Sequence, residues 1–268
     1  MPASTPNKHW QDFAKQWNRL GSPLRPCAED VENFRQAMGS EPGRCLLLGV
    51  TPELAGLSPH TTAIDNSAAM IGALWPSKHT GEQTAIQGDW LNLPFPQSSF
   101  DTIIGDGCLT LLSHPMQYER FFAQLERVIT PGGRIVLRLF TSPEQAESRE
   151  LVCRDALKGK IKSFHAFKWR LSMAIASESA DHNLAVAETC ATFDRLIPDR
   201  KLLASATGWR AEDIDTIDFY RGSEACYSYP TLSQVRMTIH RSLKEIGLIQ
   251  GSYELAERCP ILILESRG

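Results

Sequence analysis

The chain has 268 residues, 42% of them hydrophobic, and a formal net charge of −3. That length suits one α/β domain, with or without an insertion, and the apolar fraction supplies a sizeable core. The near-neutral balance, with no run of basic residues, argues against nucleic acid or an anionic membrane surface as a partner. Apolar stretches such as Ile261 to Leu264 are far too short to span a bilayer. The seven cysteines are scattered singly without a CxxC pair, a pattern of reduced thiols rather than of a disulfide frame or zinc site. Together with an opening MPASTPNKHW that lacks an apolar signal segment, this predicts a cytoplasmic protein with no metal site.

In chain order, residues 6–19 read as a helix with Trp10, Phe13 and Trp17 on one face, and 27–39 as a second, between Pro-punctuated SPLRP and Gly39. From Arg44 the texture changes to strand-length apolar runs alternating with short helices. The runs are 45–50, 61–65, 84–89, 100–106 and 134–140, with an amphipathic helix at 117–129 ended by PGG. Strands alternating with helices predict a parallel sheet with crossovers, and continuous apolar strands predict burial on both faces. After Phe140, helices are expected at 143–157, 160–178, 183–195 and 198–207, too many for one crossover, so 141–230 reads as an inserted helical cap. A Tyr-rich loop (222–230), a helix (231–246) and two antiparallel strands, LIQGSYEL and CPILILES, complete the chain. The expected fold is a Rossmann-like α/β domain with a seven-stranded, mostly parallel sheet. Its divisions are an N-terminal helical lid (1–42), a core (43–140), the cap (141–230) and a closing segment (231–268).

In open α/β sheets, ligands bind beyond the carboxyl ends of the strands. There this sequence places Gly49 after strand one, Asp65 at the end of strand two, Asp89-Trp90 after strand three and Asp106-Gly107 after strand four. An acid at the second strand end can accept from both hydroxyls of a ribose. Acids at three successive strand ends suit a ligand carrying a ribose, an adenine amino group and an ammonium, and would repel a pyrophosphate.

The segment GDWLNLPFPQSSFDTIIGDGCLTLL (88–112), followed by LERVITPGGRIVLRLF (125–140), resembles the class I S-adenosylmethionine-dependent methyltransferases. The matching pieces are the acid before an LPF turn, the SFD opening of strand four and the helix ending in PGG. The resemblance covers roughly 43–140 and the last two strands. It implies S-adenosylmethionine as cofactor, with Asp65 on the ribose, Asp89 on the adenine amino group and the Trp90 backbone N–H near the ring. Asp106 or Gly107 would face the methionine part, and Gly49 would let the backbone approach closely. Thr51, Asn66 and Met70 join them as cofactor-binding candidates. One departure stands out. Where the family has an acid two residues before the first glycine, and two further glycines after it, this chain has Leu47, Thr51 and Glu53. The first helix (52–57) should then start at Pro52 with Thr51 capping it. Glu53 should point away from the methionine carboxylate, and either Glu53 or Asp106 would stand in for the lost acid.

Each residue also has a plainer reading. Gly49 could simply end a strand, Asp65 cap a helix, Asp89 shape a turn and Met70 fill the core. Arg25 is either a solvated charge or a clamp for a carboxylate. Trp10 and Trp17 are the buried stripe of a lid helix or line the site. His114, after strand four, is the best-placed candidate base, with a satisfied loop histidine as the competing reading; His165, His182 and His240 are assigned nothing. Tyr220, Tyr227 and Tyr229 line a pocket or pack. The function expected is methyl transfer to a small-molecule acceptor, in which positioning and water exclusion do most of the catalytic work. The absence of an NPPY-type motif and of a basic groove argues against a nucleic acid target. Two alternatives remain open: a non-catalytic S-adenosylmethionine-binding regulatory or partner protein, favoured by the altered loop, and a nicotinamide-dependent oxidoreductase, disfavoured by Thr51-Pro52-Glu53.

Overall fold

The computed structural model describes residues 17–75 and 82–267. The strands among them are β1 (Cys45–Leu48), β2 (Thr61–Asp65), β3 (Thr84–Gln87), β4 (Phe100–Asp106), β5 (Ile129–Arg138), β6 (Asn183–Ala185), β7 (Cys226–Ser228), β8 (Leu243–Ile249) and β9 (Ile261–Ser266). Seven form one sheet in the order β3-β2-β1-β4-β5-β9-β8, and β6 pairs separately with β7. The first five pair in parallel, and β9 alone runs against the others in the sheet. This is the mostly parallel seven-stranded arrangement expected from the alternating pattern.

Strand alternation sorts the core into two layers, because successive side chains point to opposite faces. Leu46, Leu48, Ile103, Ile135 and Leu137 pack on one face with Tyr118, Phe121, Phe122 and Leu125 of α4 (Met116–Val128). Cys45, Leu47, Ile104 and Val136 pack on the other. They meet Phe34 of α1 (Ala28–Met38), Leu54 of α2 (Pro52–Ala55) and Met70 of α3 (Ala68–Leu74). Leu47 is wholly buried in that second layer, which accounts for the apolar residue at the position where an acid was expected.

Residues after β5 build a third core. α5 (Arg149–Leu157), α6 (Phe164–Ala176), α7 (Val186–Leu196), α8 (Arg200–Thr207) and α9 (Ala211–Ile214) enclose Phe164, Phe167, Phe193 and Trp209. Ring centroids in this group lie 5.6 to 6.0 Å apart. Every residue of α6 except Arg170 is buried, as befits a helix that is apolar nearly all round.

Several boundaries differ from the expectation. The expected helix at 143–157 begins only at α5, where Ser148 accepts from Leu151 N–H at 3.1 Å. Likewise 160–178 starts at α6, where Ser163 accepts from Ala166 N–H at 3.1 Å. Residues 183–185, expected to be helical, form β6, paired with β7 inside the expected Tyr-rich loop. The helix expected at 231–246 stops as α10 (Leu232–Thr238), and β8 starts at Leu243 rather than 248. Helix-prone Leu243-Lys244-Glu245 is drawn into the sheet by pairing with β9, so tertiary context overrides propensity. β5 starts at Ile129, before the expected 134, because Ile129 pairs with Phe100 ahead of a register shift. Most of the helix expected at 6–19, with Trp10 and Phe13, lies outside the described residues, and Trp17–Arg19 is a single 3₁₀ turn.

One buried cation ties separate parts of the chain together. Arg138, at the end of β5, is wholly buried. Its Nε donates to Asp106 at 2.5 Å, its Nη1 to Asp30 at 2.8 Å and Tyr253 at 3.2 Å, and its Nη2 to the Pro23 carbonyl at 3.1 Å. The Tyr253 hydroxyl in turn donates to Asp30 at 2.9 Å. Arg138→Met should therefore destabilise the protein by about 3–5 kcal/mol, because Asp106 and Asp30 would stay buried without a counter-charge. Arg44→Ala, which breaks an exposed pair with Asp101, should cost less than about 1 kcal/mol. Urea unfolding of both variants measures the contrast, and equal small losses would contradict this account of the network.

Candidate active site

The carboxyl ends of the parallel strands open into one cavity. Gly49 follows β1 with a φ of +91°, and its N–H donates to the Ile64 carbonyl at 2.8 Å. Its missing side chain matters. A Cβ there would sit 3.8 Å from the Trp90 ring and 3.9 Å from Asp65 Oδ2, in the space between them. Thr51 is buried and Pro52 begins α2, as expected. Thr51 makes no side-chain cap, however. The helix is a single turn, and the Thr51 carbonyl accepts from Leu54 N–H at 3.1 Å instead.

Asp65 ends β2 and is 9% exposed. It does not cap α3: Ser67 does, accepting from Met70 N–H at 3.3 Å. Asp65 Oδ1 accepts from Ser67 N–H at 2.7 Å. Burial pushes its carboxyl up to about 6, against the opposing pull of that hydrogen bond. Asp89 shapes a turn by accepting from Leu91 N–H at 2.9 Å, and the Trp90 ring is fixed by donation to the Ile64 carbonyl at 2.8 Å. On the other side of β1, Asp106 ends β4 on Arg138. Burial pushes its carboxyl up, while Arg138 pulls it down. Gly107 is left-handed, φ +62°, and any Cβ there would overlap the Phe140 ring.

The cavity encloses about 1120 Å³ of atom-free space, its open mouth included. Gly49, Thr51, Asp65, Asn66, Met70, Asp89, Trp90, Asp106 and Gly107, nine residues singled out from sequence, all line it. Two candidates do not. Arg25 pairs with Glu53 and lies over the Trp17 ring at 5.6 Å. Glu53 itself stays outside the lining, with Oε2 buried and unpartnered. His114 is held away by the Asp181 carbonyl, 3.1 Å from Nδ1, and packs on Tyr118.

Other lining residues were weaker in the sequence or absent from its reading. Trp17 and Tyr227 had been weighed as lining, and both do line the cavity. Thr110, Phe140 and Trp169 had not been weighed, and they line it too. Phe140 could have been found two residues beyond Arg138 on the strand-end side. Trp169 had no local signal, since it sits in a helix that is buried nearly all round. Among the described residues, no group of three or more His, Cys, Asp or Glu side chains could hold a metal ion, and no helix is long and apolar enough to cross a membrane.

Comparison with known proteins bears on this site. Residues 45–137, from β1 to β5, match a family model described as a methyltransferase domain. A ubiquinone/menaquinone biosynthesis C-methyltransferase of Saccharophagus degradans is 30% identical over 127 residues, covering 46% of this chain and 43% of that one. The chain spans less than half the length of the curated relatives it matches. A Rhodobacter sphaeroides structure provisionally described as a Zn-dependent alcohol dehydrogenase is similar with a TM-score of 0.63 at 13% identity, covering 98% of both chains. A Thermotoga maritima S-adenosylmethionine-dependent methyltransferase gives 0.51 at 12% identity, covering 98% of this chain and 100% of that one. At those identities the structures show a shared fold alone. Residues 45–137 are thus similar to a methyltransferase domain, set in a fold that solved S-adenosylmethionine-dependent methyltransferases share.

The raised carboxyl of Asp65 has a measurable consequence. Its value is about 6 in the folded protein against an ordinary 3.8, so the folded state holds the proton more tightly. Stability then falls as pH rises from about 4 to 6 and stays lowered above that. Asp65→Asn should stabilise the ligand-free protein at pH 7.5 by on the order of 2–3 kcal/mol, with the gain vanishing near pH 4. Denaturant unfolding at the two pH values checks this, and an unchanged midpoint at pH 7.5 would contradict it.

Proposed function

We propose that the chain transfers the methyl group of S-adenosylmethionine to a small organic acceptor held in this cavity. The observation that carries the reading is the open face at Gly49 between Asp65 and Trp90, where a side chain would stand in the space. Asp65 Oδ2 borders that space and suits a ribose hydroxyl pair, with Asp89 suited to the adenine amino group and Met70, Asn66 and Trp90 to the ring. Thr51, Asp106 and Gly107 lie toward the methionine end. There Asp106 and Asp30 outweigh Arg138 by one negative charge, which suits an ammonium. Arg25 acts at one remove, by holding Glu53. When bound, the cofactor supplies a sulfonium whose methyl group is intrinsically transferable. The protein's part is then positioning and exclusion of water, which fits a lining without a histidine or lysine among the described residues.

The division of labour follows the chain: residues 43–140 hold the cofactor, 141–230 form a cap that supplies Trp169 and Tyr227, the described part of the N-terminal segment closes one side through Trp17 and Leu24, and the segment from 231 completes the sheet. The Saccharophagus degradans relative's role in ubiquinone/menaquinone biosynthesis supports a small-molecule acceptor. Location in the cytoplasm is part of the same reading.

Calorimetry tests it. S-adenosylmethionine and S-adenosylhomocysteine should each bind one to one, and NAD should not. Asp65→Ala should weaken binding by about 2–3 kcal/mol, or about 30- to 150-fold, through loss of two charge-assisted hydrogen bonds. A folded wild-type protein that binds neither ligand would overturn the reading, and one that binds NAD instead would favour an oxidoreductase. Binding of both cofactor forms, with no transfer to any acceptor tried, would point to a regulatory protein.

A further inference from the structure

The half of the cavity beneath the cap is not used by the cofactor contacts proposed above. Phe140 and Trp169 meet there edge to face with ring centroids 5.2 Å apart, and Trp169 meets Tyr227 at 6.0 Å. Among the described residues no Lys, Arg or His side chain lines the cavity, whereas Asp65, Asp89 and Asp106 do. An anionic ligand would meet like charge and find no counter-charge. Two lining residues carry buried polar atoms without a partner, Thr110 Oγ1 and Trp169 Nε1, and those residues are 2% and 5% exposed. Buried polar groups are nearly always paired, and leaving one unpaired is costly. The indole N–H only donates, and the threonine hydroxyl both donates and accepts. What this pair lacks is therefore an oxygen. An ammonium, which only donates, would leave the indole N–H unpaired, and a plain hydrocarbon would leave both groups so.

We infer that this half is an acceptor subsite for a flat, uncharged hydroxyaryl compound, with its ring against Phe140, Trp169 and Tyr227 and its oxygen on Trp169 Nε1 and Thr110 Oγ1. The inference rests on the methyl-transfer reading and adds a substrate class to it. Aromatic rings pack edge to face or offset with other rings at centroid distances like those seen here. A phenolic hydroxyl, with an ordinary pKa of about 10, gives up its proton far more readily than an alkyl alcohol. It therefore suits a subsite without a basic side chain among its described lining.

Calorimetry on the full chain saturated with S-adenosylhomocysteine separates the possibilities. The probes are 1-naphthol, naphthalene, 1-naphthoate and 1-naphthylmethylammonium, which share one ring system. 1-Naphthol should bind most tightly. Thr110→Val should weaken it about 3- to 10-fold, the effect of one neutral hydrogen bond, and leave naphthalene and S-adenosylhomocysteine binding unchanged, whereas Trp169→Phe, which also trims the ring wall, should weaken 1-naphthol about 3- to 10-fold more than it weakens naphthalene. Tighter binding of the naphthoate or the ammonium would overturn the inference, as would both variants holding 1-naphthol like the wild type. If S-adenosylhomocysteine does not bind at all, the methyl-transfer reading fails and this inference with it. If it binds and 1-naphthol has no advantage, this inference alone fails.

Discussion

The guanidinium of Arg138 is the point on which the site's geometry depends. A fully buried cation is tolerated only when its donors are paired and its charge is balanced, and here the partners come from four separated stretches of chain: Pro23, Asp30, Asp106 and Tyr253. Its planar fork fixes the directions of those partners, which a lysine ammonium on a flexible stem would not do. Asp106 is thereby held at the end of β4, and the segment leading into α1 is drawn against the sheet so that Leu24 reaches the cavity wall. The same guanidinium lies 5.2 Å from the centroid of the Phe140 ring, and that ring fills the space left by the missing side chain of Gly107. Electrostatic pairing and aromatic packing are thus coupled at one place, between the polar and apolar halves of the cavity.

Asp65 illustrates the opposite arrangement. Its carboxylate is buried with a single N–H donor from Ser67, too few to make ionisation comfortable, which is why burial raises it. A purely structural acid at that position would have acquired more partners, as Asp30 has. An acid left under-satisfied on a cavity wall is stable only as part of a fold that is stable for other reasons, and natural proteins keep such features where function uses them. The two acids therefore mark different duties. Asp30 is saturated by donors from the protein, whereas Asp65 has one backbone donor and borders the cavity, as the proposed ribose contact requires.

Much of this was legible in the sequence for a physical reason. Parallel strands buried on both faces must be short and apolar, so CLLL and FDTIIGD announce themselves, and polar residues at their carboxyl ends mark the site because the sheet has no other use for them. Asp65, Asp89 and Asp106 were found in this way. Arg25 was placed near the cofactor because its charge could be read but its partner, Glu53, could not. His114 was proposed as a base because it follows β4, but the 3₁₀ turn at Cys108–Leu111 and the clasp of Asn183 on the His114 backbone carry it away from the cavity. Trp169 was invisible for the reverse reason. A tryptophan in a helix buried on every side has the same sequence context as a core residue, and only tertiary structure shows that one of its edges meets a space. The β6–β7 pair and the start of β8 escaped because their residues suit a helix or loop locally, and pairing partners 45 and 19 residues away in sequence decide otherwise, Ser228 for Asn183 and Leu264 for Glu245.

The cavity's two halves have different origins, and under the proposed methyl transfer this bears on how an acceptor is chosen. The polar half is made by strand ends of a sheet whose geometry is fixed by its own ladders. The apolar half is made by Phe140 and by the residues after it, which have a hydrophobic core of their own. Because α6 is buried almost all round, Trp169 is held by packing on Phe140, Tyr227 and Tyr229 rather than carried on a loose loop. Even Lys168, beside it, is wholly buried, its Nζ 3.3 Å from the Thr216 hydroxyl and 4.9 Å from the Tyr220 ring centroid. Burial pushes that lysine down to about 7, so this third core stays close-packed at the cost of burying an amine. A wall packed this way is preformed, and a preformed wall selects ligands by shape and by the pairing of its fixed polar atoms, without first spending binding energy on ordering itself. Changes of acceptor would then be expected from substitutions in the third core and not in the strand-end acids.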